Sequence, residues 1–166
     1  RIPAIVRWPG HVPAGRECAT PAITMDIYPT LIELAGATLP KNQPMDGVSL
    51  VSLLRDPGVS LSRDTLFWHL PHYHHSTPAS AIRRGDWKLI EFFEDGTLEL
   101  YNLREDIGET KNVASENPAK VQELHALLKK WREEIKAPMP TPHTPEPAPE
   151  SAKQQRRAKR AAQSEE

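Results

Sequence analysis

The residues best equipped for chemistry are His69-Leu70-Pro71-His72-Tyr73-His74-His75, where four of the chain's seven histidines fall together. Imidazole titrates near neutrality and ligates zinc or copper. It also makes hydrogen bonds to anions and sugar hydroxyls at pocket rims. No cysteine lies near the cluster, and acids such as Asp64 or Asp86 would have to be brought in by the fold. Three readings therefore stand side by side: a pocket rim, a plain surface loop, and a metal site. The cluster leaves a run of β-forming residues and precedes Pro78, which predicts a loop.

Other candidates are weaker. Arg83-Arg84-Gly85-Asp86-Trp87-Lys88 reads as a charged hairpin corner. Arg83 and Lys88 could reach an anion there, and a solvated turn explains the same residues. Cys18 is the sole cysteine, which excludes an internal disulfide framework and any multi-cysteine zinc module. No His or Asp pattern around it marks a nucleophile. Asp106-Ile107-Gly108-Glu109-Thr110-Lys111-Asn112 is acidic but lacks the alternating ligands of a calcium loop, so it reads as turn and capping chemistry. No glycine-rich phosphate loop, nucleophile elbow or paired-carboxylate motif is visible.

The elements that must carry these residues follow from periodicity and turn signals. The chain has 166 residues, 38% of them hydrophobic, with 17 prolines and a formal net charge of -1. That balance fits one folded domain plus an unfolded part, and it argues against a nucleic-acid footprint over the whole chain. No apolar run approaches the roughly 18 residues a membrane span needs. Ile2 to Trp8 predicts a buried strand, closed by Pro9-Gly10. Because Arg1 opens inside that element, the chain reads as a piece of a longer one. Asp26 is the expected N-cap of a helix over 27–35, with Pro29 in its first turn and Gly36 at its C-cap. Ile27, Leu31 and Leu34 share one face of it. Ser49 is placed to cap a short helix through Leu54 that Pro57-Gly58 stops.

Strands are predicted over 65–70, 80–83, 87–93 and 98–101, joined by turns at Gly85-Asp86 and Asp95-Gly96. Asn117 and Pro118 open a long helix whose stripe is Val121, Leu124, Leu128, Trp131 and Ile135. From Ala137 the prolines come every second or third residue and neither helix nor sheet propagates. The basic segment 151–166 reads as a disordered tail. The fold class is α+β: a small antiparallel sheet packed by a long C-terminal helix, preceded by a strand and helices.

The order of motifs also carries a resemblance. Arg1 to Gly10 looks like the strand that follows the Glu-Gly-Gly turn in sulfatases, and Asp26-Ile27-Tyr28-Pro29-Thr30-Leu31 resembles that family's Asp-x-Tyr-Pro-Thr-Leu helix. Asp46-Gly47-Val48-Ser49-Leu50 matches its next segment. Ala81-Ile82-Arg83 through Gly85-Asp86-Trp87-Lys88-Leu89-Ile90 resembles its C-terminal hairpin. Leu100-Tyr101-Asn102-Leu103 with Asp106, Glu109 and Asn112 resembles its Leu-Tyr-Asn-Leu…Asp-Pro-x-Glu-x-x-Asn signature, with Ile107 in place of the frequent proline. Five pieces in the right order cover about residues 1–136.

The resemblance implies the C-terminal portion of a formylglycine-dependent, arylsulfatase-type hydrolase of the alkaline-phosphatase-like superfamily. In that reading residues 1–60 end the α/β core, 61–137 form a sheet-and-helix subdomain, and 138–166 are linker and tail. It implies sulfate-ester hydrolysis by the whole enzyme, with calcium and formylglycine supplied by the larger N-terminal region. Cys18 is followed by Thr20 and Ala22 where the formylglycine motif needs Pro or Ala and then Arg, so no catalytic or metal-binding residue carries over. The fragment alone is expected to be inactive and to hold no cofactor. Its expected contribution is substrate selection: His72, Tyr73, His74 and His75 would line the leaving-group side of the ester, with Arg83 a further contact. The expected partners are a sulfated small molecule or carbohydrate and the rest of the enzyme core. The family resemblance places the protein in the periplasm or outside the cell. The alternatives are a phosphodiesterase or phosphonate hydrolase of the same superfamily, a non-enzymatic histidine-rich metal-binding module, and a polymer-binding piece acting through the basic tail.

Overall fold

The computed structural model describes residues 2–39, 42–74 and 76–141. The expected linker and basic tail fall beyond residue 141 for most of their length, outside the described residues. The element order is α1 (Ile27–Leu34), α2 (Val51–Arg55), β1 (Thr65–Leu70), β2 (Ala79–Arg84), β3 (Trp87–Phe92), β4 (Leu98–Asn102) and α3 (Pro118–Glu134). The strands form one antiparallel sheet in the order β1-β2-β3-β4.

Alternation along each strand divides the sheet into two faces. Phe67, Ile82, Leu89 and Leu100 lie in one cross-strand row, since Phe67 pairs with Ile82, Ile82 with Leu89, and Leu89 with Leu100. Helix α3 covers this face. Its Leu124 and Leu128 complete a core with Ile82, Leu89 and Leu100, and Trp131 stacks on Phe67 at 4.8 Å. Each fully buried aliphatic side chain stabilises the unit by about 1.5–3 kcal/mol relative to exposure. Both hairpin turns use a glycine in the left-handed region, Gly85 at φ +58° and Gly96 at φ +72°, which an L side chain adopts only with strain.

Three local expectations are corrected. Residues 2–8 form no strand, and Ile2 and Ile5 are 92% and 94% exposed. A strand needs a neighbour to take its N–H and C=O groups, and among the described residues none runs beside it. Asn117 stands at the N-cap of α3 but its side chain does not cap; its Nδ2 donates back to the Val113 carbonyl at 3.1 Å. Ile135 lies past the end of α3 and is half exposed, while Arg132 from the same helix is buried.

The fourth correction concerns Asp26, which precedes α1 without capping it. Its carboxylate is fully buried and makes no cap bond to the helix. Oδ1 and Oδ2 accept a two-pronged bond from the Arg63 guanidinium at 2.6 and 2.8 Å, across 37 residues of sequence. The same oxygens accept the N–H groups of Val48 at 3.0 Å and Ile23 at 2.9 Å. Thr30 extends the network: its hydroxyl donates to the Asp26 carbonyl at 2.6 Å and accepts the Leu50 N–H at 2.9 Å. The segments leading into α1 and α2 are thus locked to each other and to the approach to β1. Burial alone would raise the Asp26 carboxyl. The bonds from Arg63, Val48 and Ile23 outweigh it and hold the group below its ordinary range. Ser49, expected to cap α2, stands one residue before the N-cap Leu50, which has no side-chain cap bond; the Ser49 hydroxyl oxygen accepts the Val51 N–H at 3.3 Å.

Candidate functional site

The histidine cluster lies where β1 ends and in the loop 71–78 that joins it to β2. The two ends of the loop are fixed by the β1–β2 pairing, in which Leu70 faces Ala79. His69 belongs to this frame. It sits opposite Ser80, with Nδ1 2.7 Å from the Ser80 hydroxyl and Nε2 2.7 Å from the Pro138 carbonyl. A carbonyl only accepts, so Nε2 carries the proton, and a neutral ring then takes the Ser80 O–H at Nδ1. His69 therefore ties β1, β2 and the chain leaving α3 together. Ser80 is 1% exposed, so His69→Ala leaves a buried hydroxyl without its partner. The expected loss of stability is about 1–3 kcal/mol, read from the urea midpoint. A loss under about 0.5 kcal/mol would show that Ser80 finds another acceptor.

His72, Tyr73 and His74 are exposed in the loop, and His75 lies outside the described residues. The Tyr73 hydroxyl donates to the Glu94 carboxylate on the β3–β4 turn, and the His74 N–H donates to the Ser76 carbonyl at 3.4 Å. The bond to Glu94 holds the Tyr73 phenol above the ordinary tyrosine range. The Phe93 N–H donates to the Pro78 carbonyl at 3.0 Å, so the loop and the β3–β4 turn meet at two points.

Arg83 is not part of this group. It lies four residues along β2 from the loop's last pairing position, about 13 Å away at ~3.3 Å per residue. Its Nε donates to the Gly85 carbonyl at 3.2 Å, at the far corner of the sheet. There it pairs across the strands with Lys88 on the sheet face away from α3. Lys88 is bound in turn to Glu109 at 2.5 Å. A groove over this outer face is bordered by Trp68, Ala81, Arg83 and Lys88 together with residues 2–4 and 18–22.

Sequence reasoning missed one charged cluster altogether. Glu91 on β3 lies 2.6 Å from Arg132 and 3.1 Å from His125, both on α3, and the Arg132 guanidinium lies 5.3 Å from the Phe93 ring centroid. Burial would raise the Glu91 carboxyl, but Arg132 and His125 together bring it below its ordinary range. The cluster pins α3 to the end of the sheet that carries the histidine loop. A signal was present: Glu91 alternates onto the core face, and Arg132 falls within the helix stripe.

The acidic loop is structural, as its residue types suggested. Asp106 accepts the N–H groups of Thr110 at 2.7 Å and Lys111 at 2.8 Å, and the hydrogen bonds hold its carboxyl below the usual range. The Asn112 side-chain oxygen accepts from Leu100 N–H and Ala114 N–H, both at 3.0 Å, which joins β4 to the start of α3. Among the described residues no three His, Cys, Asp or Glu side chains come together as a metal site. Cys18 is exposed, with its thiol 3.9 Å from the Pro57 carbonyl. No helix among the described residues is long and apolar enough to cross a membrane.

Comparison with known proteins agrees with the motif order. The family described as N-sulphoglucosamine sulphohydrolase, C-terminal, matches residues 1–137. A sulfatase of Formosa agariphila is 43% identical over 140 residues, covering 78% of this chain and 25% of that protein. An N-acetylglucosamine-6-O-sulfatase of Bacteroides thetaiotaomicron is 30% identical over 144 residues, covering 82% of this chain and 25% of that protein. A solved structure of a protein in complex with its substrate D-glucosamine-2-N,6-O-disulfate superimposes with a TM-score of 0.67 at 27% identity, over 80% of this chain and 28% of that one. The chain thus spans about a quarter of the length of these relatives. With its four-stranded sheet, its packed helix and the Asp106–Asn112 connection all in the matched region, the chain belongs to the sulfatases, of which it forms the C-terminal domain.

Proposed function

We propose that the protein to which this chain contributes hydrolyses sulfate esters, and that loop 71–78 helps to select the ester. The observation that carries the reading is the family match over residues 1–137 together with named sulfatases among the relatives. The substrate class proposed is a sulfated carbohydrate, because one relative is named for N-acetylglucosamine-6-O-sulfate hydrolysis and one structural neighbour holds a disulfated glucosamine. The calcium and formylglycine implied by the family are assigned to the remaining three quarters of the enzyme. Among the described residues here no side-chain group fits that metal, and Cys18 lacks the motif for conversion. The division into a core edge over 1–60, a sheet-and-helix subdomain over 61–137 and a tail over 138–166 belongs to the same proposal, as does export to the periplasm or beyond.

Exposed apolar residues support a partner within the same enzyme. Ile27, Leu31 and Leu34 on α1 and Ile2 and Ile5 before it lie open to solvent. Exposed apolar residues grouped on one helix face, as Ile27, Leu31 and Leu34 are, mark an interaction site. The rest of the sulfatase core is the proposed occupant.

Within loop 71–78, imidazole N–H groups of His72, His74 and His75 would donate to sulfate or sugar oxygens. The Tyr73 hydroxyl already donates to Glu94, so Tyr73 offers its ring face. Arg83, at the opposite corner of the sheet, is proposed only for a distal part of a longer ligand. The test is kinetic. In the complete enzyme, His72→Ala and His74→Ala are each expected to lower kcat/KM on the preferred sulfated sugar about tenfold, the value of one charge-assisted hydrogen bond. Unchanged activity on every sulfated sugar tried would remove the loop from the site. Preferential turnover of a phosphonate monoester would replace the reaction itself.

A further inference from the structure

We propose that Glu94 is a positioning residue: through its bond to the Tyr73 hydroxyl it aims the middle of loop 71–78, and with it the imidazoles of His72 and His74. The inference rests on the reading that this loop meets the substrate. It extends that reading to a residue on a different hairpin, which would itself touch no ligand.

The geometry has three parts. The first is a firm anchor. Glu94 stands on the β3–β4 turn, where the Phe92 N–H donates to the Thr97 carbonyl at 3.0 Å and the Gly96 N–H to the Phe92 carbonyl at 3.1 Å. Asp95 closes the turn by accepting the Thr97 N–H at 2.9 Å. Gly96 supplies the positive φ of +72°. The second is an exposed target. Loop 71–78 is joined to the sheet at its ends, by the Leu70–Ala79 pair and by the Phe93 N–H bond to Pro78. Its described residues lie in no helix or strand, and Tyr73 is 67% exposed, so packing does little to fix the Tyr73 ring. The third is the link. The Tyr73 phenol donates to the Glu94 carboxylate across 21 residues. A hydrogen bond to an ionised acceptor is roughly twice as strong as a neutral one and is directional. Since side chains flanking Tyr73 move with its backbone, fixing the ring restricts both neighbouring histidines.

The experiment compares Glu94→Ala, Glu94→Gln, Tyr73→Phe and the Glu94→Ala/Tyr73→Phe double variant in the complete enzyme. Each is assayed by steady-state kinetics on the preferred sulfated sugar and by hydrogen exchange of the loop amides. Glu94→Ala and Tyr73→Phe are each expected to raise KM about tenfold with kcat within about twofold, and to speed exchange in the loop. Glu94→Gln keeps an acceptor and is expected to bring KM back toward the parent value. The double variant should be no worse than either single, because both remove the same bond. Unchanged KM and exchange in Glu94→Ala overturns the proposal. If His72→Ala and His74→Ala still raise KM in that case, the loop reading survives and only the role of Glu94 falls. If they do not, loop and anchor fall together. A loss of kcat at constant KM, or additive effects in the double variant, would also overturn it, since neither follows from aiming a binding loop.

Discussion

Gly47→Ala should prevent the protein from packing natively, or cost at least about 3 kcal/mol where it still folds. A methyl group at this position would stand 2.0 Å from the Met25 carbonyl oxygen, 2.5 Å from its carbon and 2.9 Å from the Asp26 nitrogen. All three are backbone atoms, so no side-chain rotation relieves the clash. The close approach is what lets the neighbouring Val48 N–H reach the Asp26 carboxylate. Pushing the 45–49 segment away would therefore also break that bond. Soluble yield and the urea midpoint, compared with Gly58→Ala, are the measurements. At Gly58 the nearest atom to an added methyl is the Asp56 carboxylate oxygen at 3.2 Å, a side-chain atom that can shift. A Gly47→Ala protein within about 1 kcal/mol of the parent would show that this segment is free to move.

Asp26→Ala is expected to cost about 3–5 kcal/mol. Removing one member of a buried ion pair leaves the other charge in a poorly solvated place. Here it leaves the Arg63 guanidinium, whose side chain is 15% exposed, and also the N–H groups of Val48 and Ile23. Replacing Asp26 and Arg63 together by apolar residues should restore part of the loss, because no uncompensated charge remains. The pH dependence has a definite sign. The folded carboxyl titrates below its ordinary value of 3.8, so its contribution is fully present above the unfolded value. It is lost as pH falls through the depressed folded value. The stability gap between parent and Asp26→Ala should thus be flat from neutrality to about pH 5 and close progressively below about pH 4. Urea titrations across that range test it. A gap that instead widens on acidification would mean that Asp26 is not charged in the folded protein.

The sheet was legible because each strand announces itself within a short window. β-Forming residues mark Thr65–Leu70, and the turns at Gly85-Asp86 and Asp95-Gly96 bracket Trp87–Phe92. Helix α3 was equally plain from Leu124, Leu128 and Trp131 at spacings of three and four. The order of motifs carried the family, since five short segments in one order are specific where each alone is not. His72 and His74, too, could be placed in a loop from the strand exit and Pro78. What could not be read was which groups meet. Ile2 to Val6 has strand-forming residues and no partner strand among the described residues, so it forms none. Arg83 and the histidines looked like one site and stand at opposite ends of β2.

By itself, the sequence determined the four strands of the sheet, the core face of α3 and membership of the sulfatases, because backbone preference and hydrophobic period act over a few neighbouring residues. The tertiary structure alone decided that Asp26 binds Arg63 instead of capping α1, that Gly47 lies against Met25, and that Tyr73 is held by Glu94. For Asp26 the reason is desolvation, and for the exposed Tyr73 it is that the fold sets its loop beside the β3–β4 turn. A buried charge or an N–H must be satisfied by whichever partner the packed chain brings within hydrogen-bond distance, and that partner is selected by the fold at separations no local pattern records.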